Sequence, residues 1–306
     1  MEPALTSDSS HPRLQGLGTA LVTPFSADES VDHASLHRLV EAQAVADVDF
    51  LVACGSTGEA STLSEDETDA VITTVIKAAA GRMPVLAGCT HNSTREAVRR
   101  AERIAALPGL YGILSANPYY NKPSQQGQFL HFKAVAEATG KPLLLYNIPG
   151  RTAANLEPAT VLRLAELPNV IGIKESSGNL QGIGELLANA PENFAVFAGD
   201  DYLALPVIAG GGKGLISVAS NAAPMQVAVL VRAALTHDMP AACTQARALH
   251  TLNTALFAEP NPAPVKGLLA MMGAIESDTL RLPMLPVSDN TRAKLRAAAE
   301  PLGLLG

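Results

Sequence analysis

The sequence has no tryptophan, few aromatic residues and little charge. Of 306 residues, 17% are charged and 4% are aromatic, and the net charge is −7. Lysines and arginines form no long block, so a nucleic-acid partner is not expected, because phosphate binding needs a clustered basic face. No run reaches the ~18 consecutive apolar residues of a membrane span, which excludes a membrane-spanning protein.

The cysteines are also few. Cys54, Cys89 and Cys243 are odd in number and far apart, which fits a reduced cytosolic protein better than a disulfide framework or a zinc site. The opening stretch MEPALTSDSSHPRLQ lacks the apolar core of a signal peptide. We therefore expect a loose tail over residues 1–15 and a cytoplasmic location.

Short aliphatic runs alternate with amphipathic stretches from Gly16 onward. The runs have the length of strands, are apolar on both faces and are bounded by Gly, Pro or polar residues, as in a buried parallel sheet. They cover residues 18–23, 50–54, 84–88, 110–114, 142–146, 170–173, 194–197 and 214–218.

Helical patterns lie between these runs. The segment 64–80 begins with Ser64 and Glu67 at capping-box spacing and continues with apolar residues at helical spacing. Segments 93–107, 124–139 and 157–167 repeat the scheme. Eight strand–helix units that close on themselves make a TIM (β/α)8 barrel. A doubly wound open sheet is the alternative, but eight evenly spaced strands favour an α/β barrel over residues 16–236.

The strand pattern stops after residue 236. Three helical segments follow, 241–257, 265–272 and 289–299, divided by the proline-rich stretches EPNPAP and LPMLP. They predict a small C-terminal helical domain over residues 237–306.

One lysine stands where a barrel places its chemistry, at the C-terminal end of a strand. Lys174 ends the sixth run, in VIGIKE. A buried site disfavours the ammonium form, and a neutral amine is what Schiff-base formation with a keto group requires. A structural lysine paired with a carboxylate is the alternative. Of the other seven lysines, Lys141 and Lys213 precede strands and lie at the wrong face of the barrel, and Lys122 lies in a polar loop. A solvated stem is expected for the four in helical patterns, Lys77, Lys133, Lys266 and Lys294.

Further polar residues follow neighbouring strands. The phenol of Tyr146, at the end of the fifth run, can pass a proton with help from Ser56 or Thr57, although a buried tyrosine whose hydroxyl merely finds a partner is equally consistent. The Gly-Ser-Thr-Gly turn at 55–58 suits a carboxylate. Arg151 could form a bidentate pair with a second carboxylate, or it could be an ordinary surface arginine.

Other chemistries find no matching motif. No GxxxxGK[ST], HExxH, paired CxxC or GxSxG occurs. Asp200 and Asp201 lack a third ligand at useful spacing, and His91 stands alone. We expect no metal site.

Taken in order, the motifs form a specific set. They are VTPF (22–25), GSTGE (55–59), NPYYNKPSQQG (117–127), YNIPGRT (146–152), GIKESSGN (172–179), GDD (199–201), GLISV (214–218) and EPNPAPVK (259–266). From Gly16 to the C-terminus the chain resembles the dihydrodipicolinate synthase family of pyruvate-dependent class I aldolases, a superfamily that also contains N-acetylneuraminate lyase.

The resemblance implies roles for the catalytic residues. Lys174 would form the Schiff base with pyruvate, and Tyr146 would transfer protons. Tyr120 would reach into the site of a neighbouring subunit and complete a relay with Tyr146 and the hydroxyl of Ser56. Ser56 stands where the synthases usually have Thr and the lyases have Ser, so this position does not separate the two branches.

It also implies the substrates and the assembly. Thr57 and backbone groups near Ile216 would hold the pyruvate carboxylate, and Arg151 would bind that of aspartate semialdehyde. The implied reaction forms 4-hydroxytetrahydrodipicolinate, an early step of diaminopimelate and lysine synthesis, without a cofactor. A homo-oligomer is expected, as a tetramer built from tight dimers. A lyase acting on a sugar acid, and a barrel that only binds a keto acid, are the alternatives.

A feedback site for lysine occurs at the subunit interface of some family members. Asn92, Glu96 and Tyr119 match it, but Glu65 and Thr68 stand where lysine-sensitive bacterial members often have His. We therefore hypothesise weak or absent inhibition by lysine.

Overall fold

Eight parallel strands close into a barrel, in the order in which they occur along the chain. The structure is a computed structural model that describes residues 14–305, so residues 1–13 of the expected tail lie outside the described part. Strand β8 pairs with β1 and closes the ring. The strands are β1 (Gly16–Ala20), β2 (Phe50–Ala53), β3 (Val85–Gly88), β4 (Gly112–Ala116), β5 (Leu143–Asn147), β6 (Val170–Glu175), β7 (Ala195–Ala198) and β8 (Gly214–Ser217).

Helices follow the strands and surround the barrel. They are α1 (His33–Val45), α2 (Glu65–Ala79), α3 (Thr94–Ala105), α4 (Gln125–Thr139), α5 (Pro149–Thr152), α6 (Pro158–Leu164), α7 (Leu180–Asn189), α8 (Ala204–Ala209), α9 (Pro224–Leu235), α10 (Met239–Leu256), α11 (Ala263–Met271) and α12 (Asp289–Ala299). Within residues 14–305, no helix is both long and apolar enough to cross a membrane.

The predicted barrel is confirmed, and so are its local signals. Ser64 caps α2 by accepting from the backbone N–H of Glu67, whose side chain accepts from that of Ser64. Helices α1, α5, α7, α8 and α9 were not predicted. In α1 the reason is visible. Polar Ser35 and Gln43 occupy two of its buried positions, so the helical spacing of apolar residues is less regular there. The division at residue 236 stays a prediction.

The barrel interior is filled by side chains from alternate strand positions. Phe50 and Phe197 meet there edge to face, with ring centroids 5.4 Å apart. Gly18 makes room for this pair, since a Cβ at that position would lie 2.2 Å from the Phe50 ring. Tyr146 belongs to the same buried interior cluster. The polar side chains of the site therefore stand on a closely packed apolar base.

The C-terminal helices pack onto the barrel, and α11 is buried along most of its length. The expectation of a solvated Lys266 is wrong. Its Nζ lies 2.7 Å from Oε1 of Glu59 and donates to the carbonyl of Thr23 at 3.0 Å. The loops after β1 and β2 cover this face of α11, and a helical pattern in the sequence cannot show which element will cover its polar face.

Candidate active site

Lys174 lies at the C-terminal end of β6 and is 3% exposed. Strand register sets it opposite Tyr146 of β5 on one side and Phe197 of β7 on the other. Its Nζ lies 4.5 Å from the centroid of the Tyr146 ring. Lys141, by contrast, donates to the carbonyl of Leu110, before β4. The predicted burial of Lys174 beside Tyr146 is confirmed, and its catalytic role remains to be tested.

Gly199 leaves the space that the stem of Lys174 fills. A Cβ at Gly199 would lie 2.8 Å from Cγ and 3.0 Å from Cε of Lys174, and 2.0 Å from Oγ of Ser176. Such distances are well inside normal contact, so any larger residue would displace the lysine. The first residue of the GDD motif therefore helps to place the amine.

Glu175 follows Lys174 and is anchored on the outer face of the strand. Its two carboxylate oxygens accept from Nδ2 of Asn147 at 3.3 and 3.0 Å, and Oε1 also accepts from the backbone N–H of Ser177 at 2.6 Å. Burial raises the pKa of Glu175, and these hydrogen bonds oppose the rise. Oδ1 of Asn147 accepts in turn from the backbone of Leu156. This network fixes the strand end that carries Lys174.

The turn after β2 brings Ser56 and Thr57 to the same end of the barrel. It is closed by a hydrogen bond from the N–H of Gly58 to the carbonyl of Gly55. Thr57 is buried, and its Oγ1 accepts from Nδ2 of Asn261 at 2.9 Å. Ser56 is half-buried.

A cavity of about 460 Å³ opens beside this turn. Ser56, Tyr146 and Arg151 line it, with Cys54 and Cys89 among its other walls. Burial raises the pKa of both thiols, to about 12 for Cys54 and about 11 for Cys89, so both cysteines stay protonated and unreactive. The cavity thus brings a phenol, a hydroxyl and a guanidinium together. Lys174, Thr57 and Ile216 are buried and do not line it.

Arg151 sits on α5, directly after β5, and is exposed. Its Nη2 donates to the backbone carbonyl of Asn261 at 2.9 Å. A guanidinium has five N–H donors, so this bond leaves others for a ligand carboxylate.

Tyr120 lies apart from the cavity of its own chain. Its side chain is 86% exposed, and its backbone has a φ of +73°. Tyr119, by contrast, lines the cavity, and its ring centroid is 6.4 Å from that of His91. Participation of Tyr120 in the site of a neighbouring copy stays a prediction.

Asp201, the second acid after β7, stabilises the end of β8 and the loop that follows it. Asp201 is buried and accepts from the hydroxyl of Ser217 and, at 3.0 Å, from the N–H of Val218. Burial raises the pKa of Asp201, against these hydrogen bonds. Ile216, on β8, is fully buried and pairs with Gly18 of β1. No group of three or more His, Cys, Asp or Glu suited to a metal ion occurs in the part of the chain that the structure describes.

Comparison with known proteins gives one family. A sequence model described as "Dihydrodipicolinate synthetase family" matches residues 13–302. The chain belongs to this family. It is 54% identical over 297 residues to a protein from Koribacter versatilis named 4-hydroxy-tetrahydrodipicolinate synthase, covering 96% of this chain and 97% of that protein.

Two further relatives agree with this assignment. A protein of the same name from Acidobacterium capsulatum is 56% identical over 293 residues, covering 95% of this chain and 97% of that one. The crystal structure of dihydrodipicolinate synthase from Aquifex aeolicus superposes with a TM-score of 0.92 at 41% identity, covering 95% and 99% of the two chains. The family resemblance inferred from the motifs is confirmed.

Of the residues expected at a lysine site, Tyr119 lines the cavity, and so do Glu65 and Thr68. The carbonyl of Asn92 accepts from Asn121, and Glu96 pairs with Arg99 at 3.1 Å. Arg99 also binds Glu65 and holds the pKa of that carboxyl below its usual range. Thr68 donates to the carbonyl of Ser64. The expected weakness of lysine inhibition stays a prediction.

The sequence analysis missed the buried polar residues that hydrogen-bond to this dihydrodipicolinate synthetase-family site and hold it in place. Asn147, Glu175 and Asn261 are buried polar groups in contact with the predicted residues or their neighbours. Each lies inside one of the shared motifs. Polar residues embedded in apolar or proline-rich segments are a usable signal, because buried polar groups need partners.

Proposed function

We propose that the chain is a 4-hydroxy-tetrahydrodipicolinate synthase that condenses pyruvate with L-aspartate 4-semialdehyde. The observation that carries the proposal is the buried Lys174 beside Tyr146, at the end of β6. More than half of the residues are identical to those of relatives that carry this name. The reaction needs neither a metal nor a cofactor, since an amine supplies the electrophilic activation.

The first half of the reaction uses pyruvate alone. The amine of Lys174 attacks the keto carbon, and the resulting carbinolamine loses water to give a protonated imine. Tyr146 passes protons to and from the departing oxygen. Loss of a proton from the methyl group then gives an enamine. Thr57 and backbone groups near Ile216 hold the carboxylate through this sequence.

The second half joins the aldehyde. The enamine carbon attacks the aldehyde carbon, and the aldehyde oxygen takes up a proton to become the 4-hydroxyl group. The amine of aspartate semialdehyde then attacks the imine carbon, and Lys174 leaves as a free amine while the ring closes. Arg151 binds the carboxylate of this substrate, since its free N–H groups suit a bidentate pair.

The proton relay extends to a second copy of the chain. Ser56 lines the cavity with Tyr146, and Tyr120 projects from the surface, where it can enter a neighbour's site. A homo-oligomer, as a tetramer of two tight dimers, is therefore part of the proposal. So are a catalytic barrel over residues 16–236 and a helical domain over residues 237–306. The three cysteines are free, which fits a cytoplasmic enzyme.

Borohydride trapping tests the chemistry. Reduction in the presence of pyruvate should leave a stable pyruvyl mass on the peptide that contains Lys174. Lys174→Arg should abolish the adduct, while Lys141→Arg, a lysine at the opposite end of the barrel, should leave it unchanged. An adduct on another lysine would overturn the mechanism.

Turnover tests the substrate. The protein should consume pyruvate together with aspartate semialdehyde and should not cleave N-acetylneuraminate. Formation of the Lys174 adduct together with the reverse preference would assign the chain to lyase chemistry of the same superfamily.

A further inference from the structure

Asn261 connects the two groups to which the proposed function assigns the substrate carboxylates. It lies between α10 and α11, remote from the barrel strands in sequence, and is 8% exposed. Its Nδ2 donates to Oγ1 of Thr57 at 2.9 Å, and its backbone carbonyl accepts from Nη2 of Arg151 at 2.9 Å. One residue of the C-terminal helical region thus contacts both binding groups.

The bond to Thr57 sets the direction in which that hydroxyl can act. A threonine hydroxyl has one proton to donate and two lone pairs that accept. Because Nδ2 of Asn261 is the donor, the hydrogen bond occupies one lone pair of the Thr57 hydroxyl and leaves its proton free to be donated elsewhere. Among residues 14–305 the structure shows no acceptor for that proton. An anion held at Thr57 can accept a hydrogen bond from this hydroxyl. A hydroxyl that already accepts one hydrogen bond is a stronger donor of a second one.

The bond to Arg151 acts through the main chain. It uses one N–H of the guanidinium and depends on the carbonyl of residue 261, whatever the side chain there. Substitution of Asn261 can therefore separate its two contacts, because it changes the bond to Thr57 and leaves the acceptor for Arg151 in place.

We infer that Asn261 is a positioning residue, whose amide keeps the Thr57 hydroxyl a donor to the carboxylate of pyruvate while its carbonyl orients Arg151. The inference rests on the proposed function and deepens it. It concerns binding of the first substrate, and it is separable from the formation of the Schiff base itself.

Asn261→Asp is the most direct test, because it keeps the shape of the side chain and replaces the amide donor with an acceptor. The carboxylate would accept a hydrogen bond from the Thr57 hydroxyl and place a negative charge near the bound anion. Loss of a hydrogen bond to a charged group predicts a rise of about tenfold or more in the KM for pyruvate. The KM for aspartate semialdehyde and kcat should change by less than about threefold, since the contact to Arg151 survives.

Asn253→Ala is the matched control. Asn253 is a second buried asparagine of the C-terminal region, and within residues 14–305 the Oδ1 atoms of both Asn253 and Asn261 lack a hydrogen-bond partner. Asn253 lies on α10, away from Thr57. It should alter thermal stability without changing the KM for pyruvate. In a Thr57→Val background, Asn261→Asp should no longer raise that KM to the same degree.

Three outcomes would overturn the inference: an unchanged KM for pyruvate in Asn261→Asp, equal rises in the two KM values, or a full effect in the Thr57→Val background. Borohydride trapping on the wild-type chain separates these from failure of the proposed function. If the wild-type chain forms no pyruvyl adduct on Lys174, the proposed function fails. If the wild-type chain forms the adduct and Asn261→Asp forms it at the same pyruvate concentration as the wild type, the inference alone fails.

Discussion

Nζ of Lys266 lies 2.7 Å from Oε1 of Glu59, and both side chains are buried. The nitrogen also lies 4.2 Å from the centroid of the Phe25 ring. Burial lowers the pKa of Lys266, and Glu59 opposes that change. Glu59 directly follows the turn that carries Ser56 and Thr57, so the pair attaches the C-terminal helices to the candidate active site.

Breaking this pair should destabilise the protein strongly. Lys266→Met leaves a buried carboxylate without its partner, which predicts a loss of about 3–5 kcal/mol in the free energy of unfolding. The double variant Lys266→Met/Glu59→Gln should recover much of that loss, because the unpaired charge is gone. Urea denaturation measures both values.

An exposed pair provides the control. Lys133 and Glu137 lie 3.7 Å apart, one turn apart on α4, and both are exposed. Lys133→Met should cost no more than about 0.5 kcal/mol. Equal losses at Lys266 and Lys133 would contradict the importance assigned to the buried pair.

Gly199→Ala should act on the amine of Lys174. The added Cβ would lie 2.8 Å from Cγ of Lys174 and 2.0 Å from Oγ of Ser176, so the lysine must move. We expect the rate of pyruvyl adduct formation to fall by about tenfold or more, with a loss of about 1–3 kcal/mol in stability from overpacking. Borohydride quenching at timed intervals measures the rate.

Gly184→Ala is the control for that substitution. Gly184 lies within α7, and a Cβ there meets nothing within 4 Å. It should leave the trapping rate unchanged and raise stability by about 0.5–1 kcal/mol, since alanine favours a helix. A normal trapping rate in Gly199→Ala would show that the lysine tolerates the extra methyl group.

His131 should make stability depend on pH. Its Nδ1 is 3.0 Å from Oγ1 of Thr94, and burial lowers its pKa from 6.5 to about 4, with His91 adding to the shift. Between these values the unfolded chain takes up a proton that the folded chain does not. The stability that neutral His131 contributes is therefore complete above about pH 6.5, and about 3 kcal/mol of it is lost as the pH falls through 4.

Replacing His131 should remove this dependence. His131→Gln should flatten the curve of unfolding free energy against pH between 4 and 6.5, whereas the exposed His37→Gln should follow the wild-type curve. A His131→Gln curve as steep as the wild-type one would assign the acid sensitivity to other groups. Urea titrations at several pH values provide the comparison.

The barrel could be predicted from the sequence because its signals are local. Runs of strand length, and a capping box such as that of Ser64 and Glu67, depend on residues a few positions apart. Lys174 could be singled out because it ends one of those runs. The partnerships of Asn261 with Thr57 and of Lys266 with Glu59 span more than 200 residues. They depend on how the C-terminal helices dock, which no local pattern encodes.

Arg151 should act on the second substrate alone. Its guanidinium is held by the carbonyl of Asn261 at one N–H and lines the cavity with the others available. Arg151→Ala should lower kcat/KM for aspartate semialdehyde by about 100-fold, and Arg151→Lys by about tenfold, because lysine keeps the charge and loses the bidentate geometry. Arg163→Ala, at an exposed arginine over Phe129 outside the cavity, should leave kcat/KM for aspartate semialdehyde unchanged.

Steady-state kinetics with aspartate semialdehyde varied measures these effects, and borohydride trapping measures the pyruvate half separately. Trapping should stay within about twofold of wild type in both Arg151 variants, since that step leaves the second carboxylate site empty. A matching loss in trapping would place Arg151 in pyruvate binding and would contradict its assignment to the aldehyde substrate.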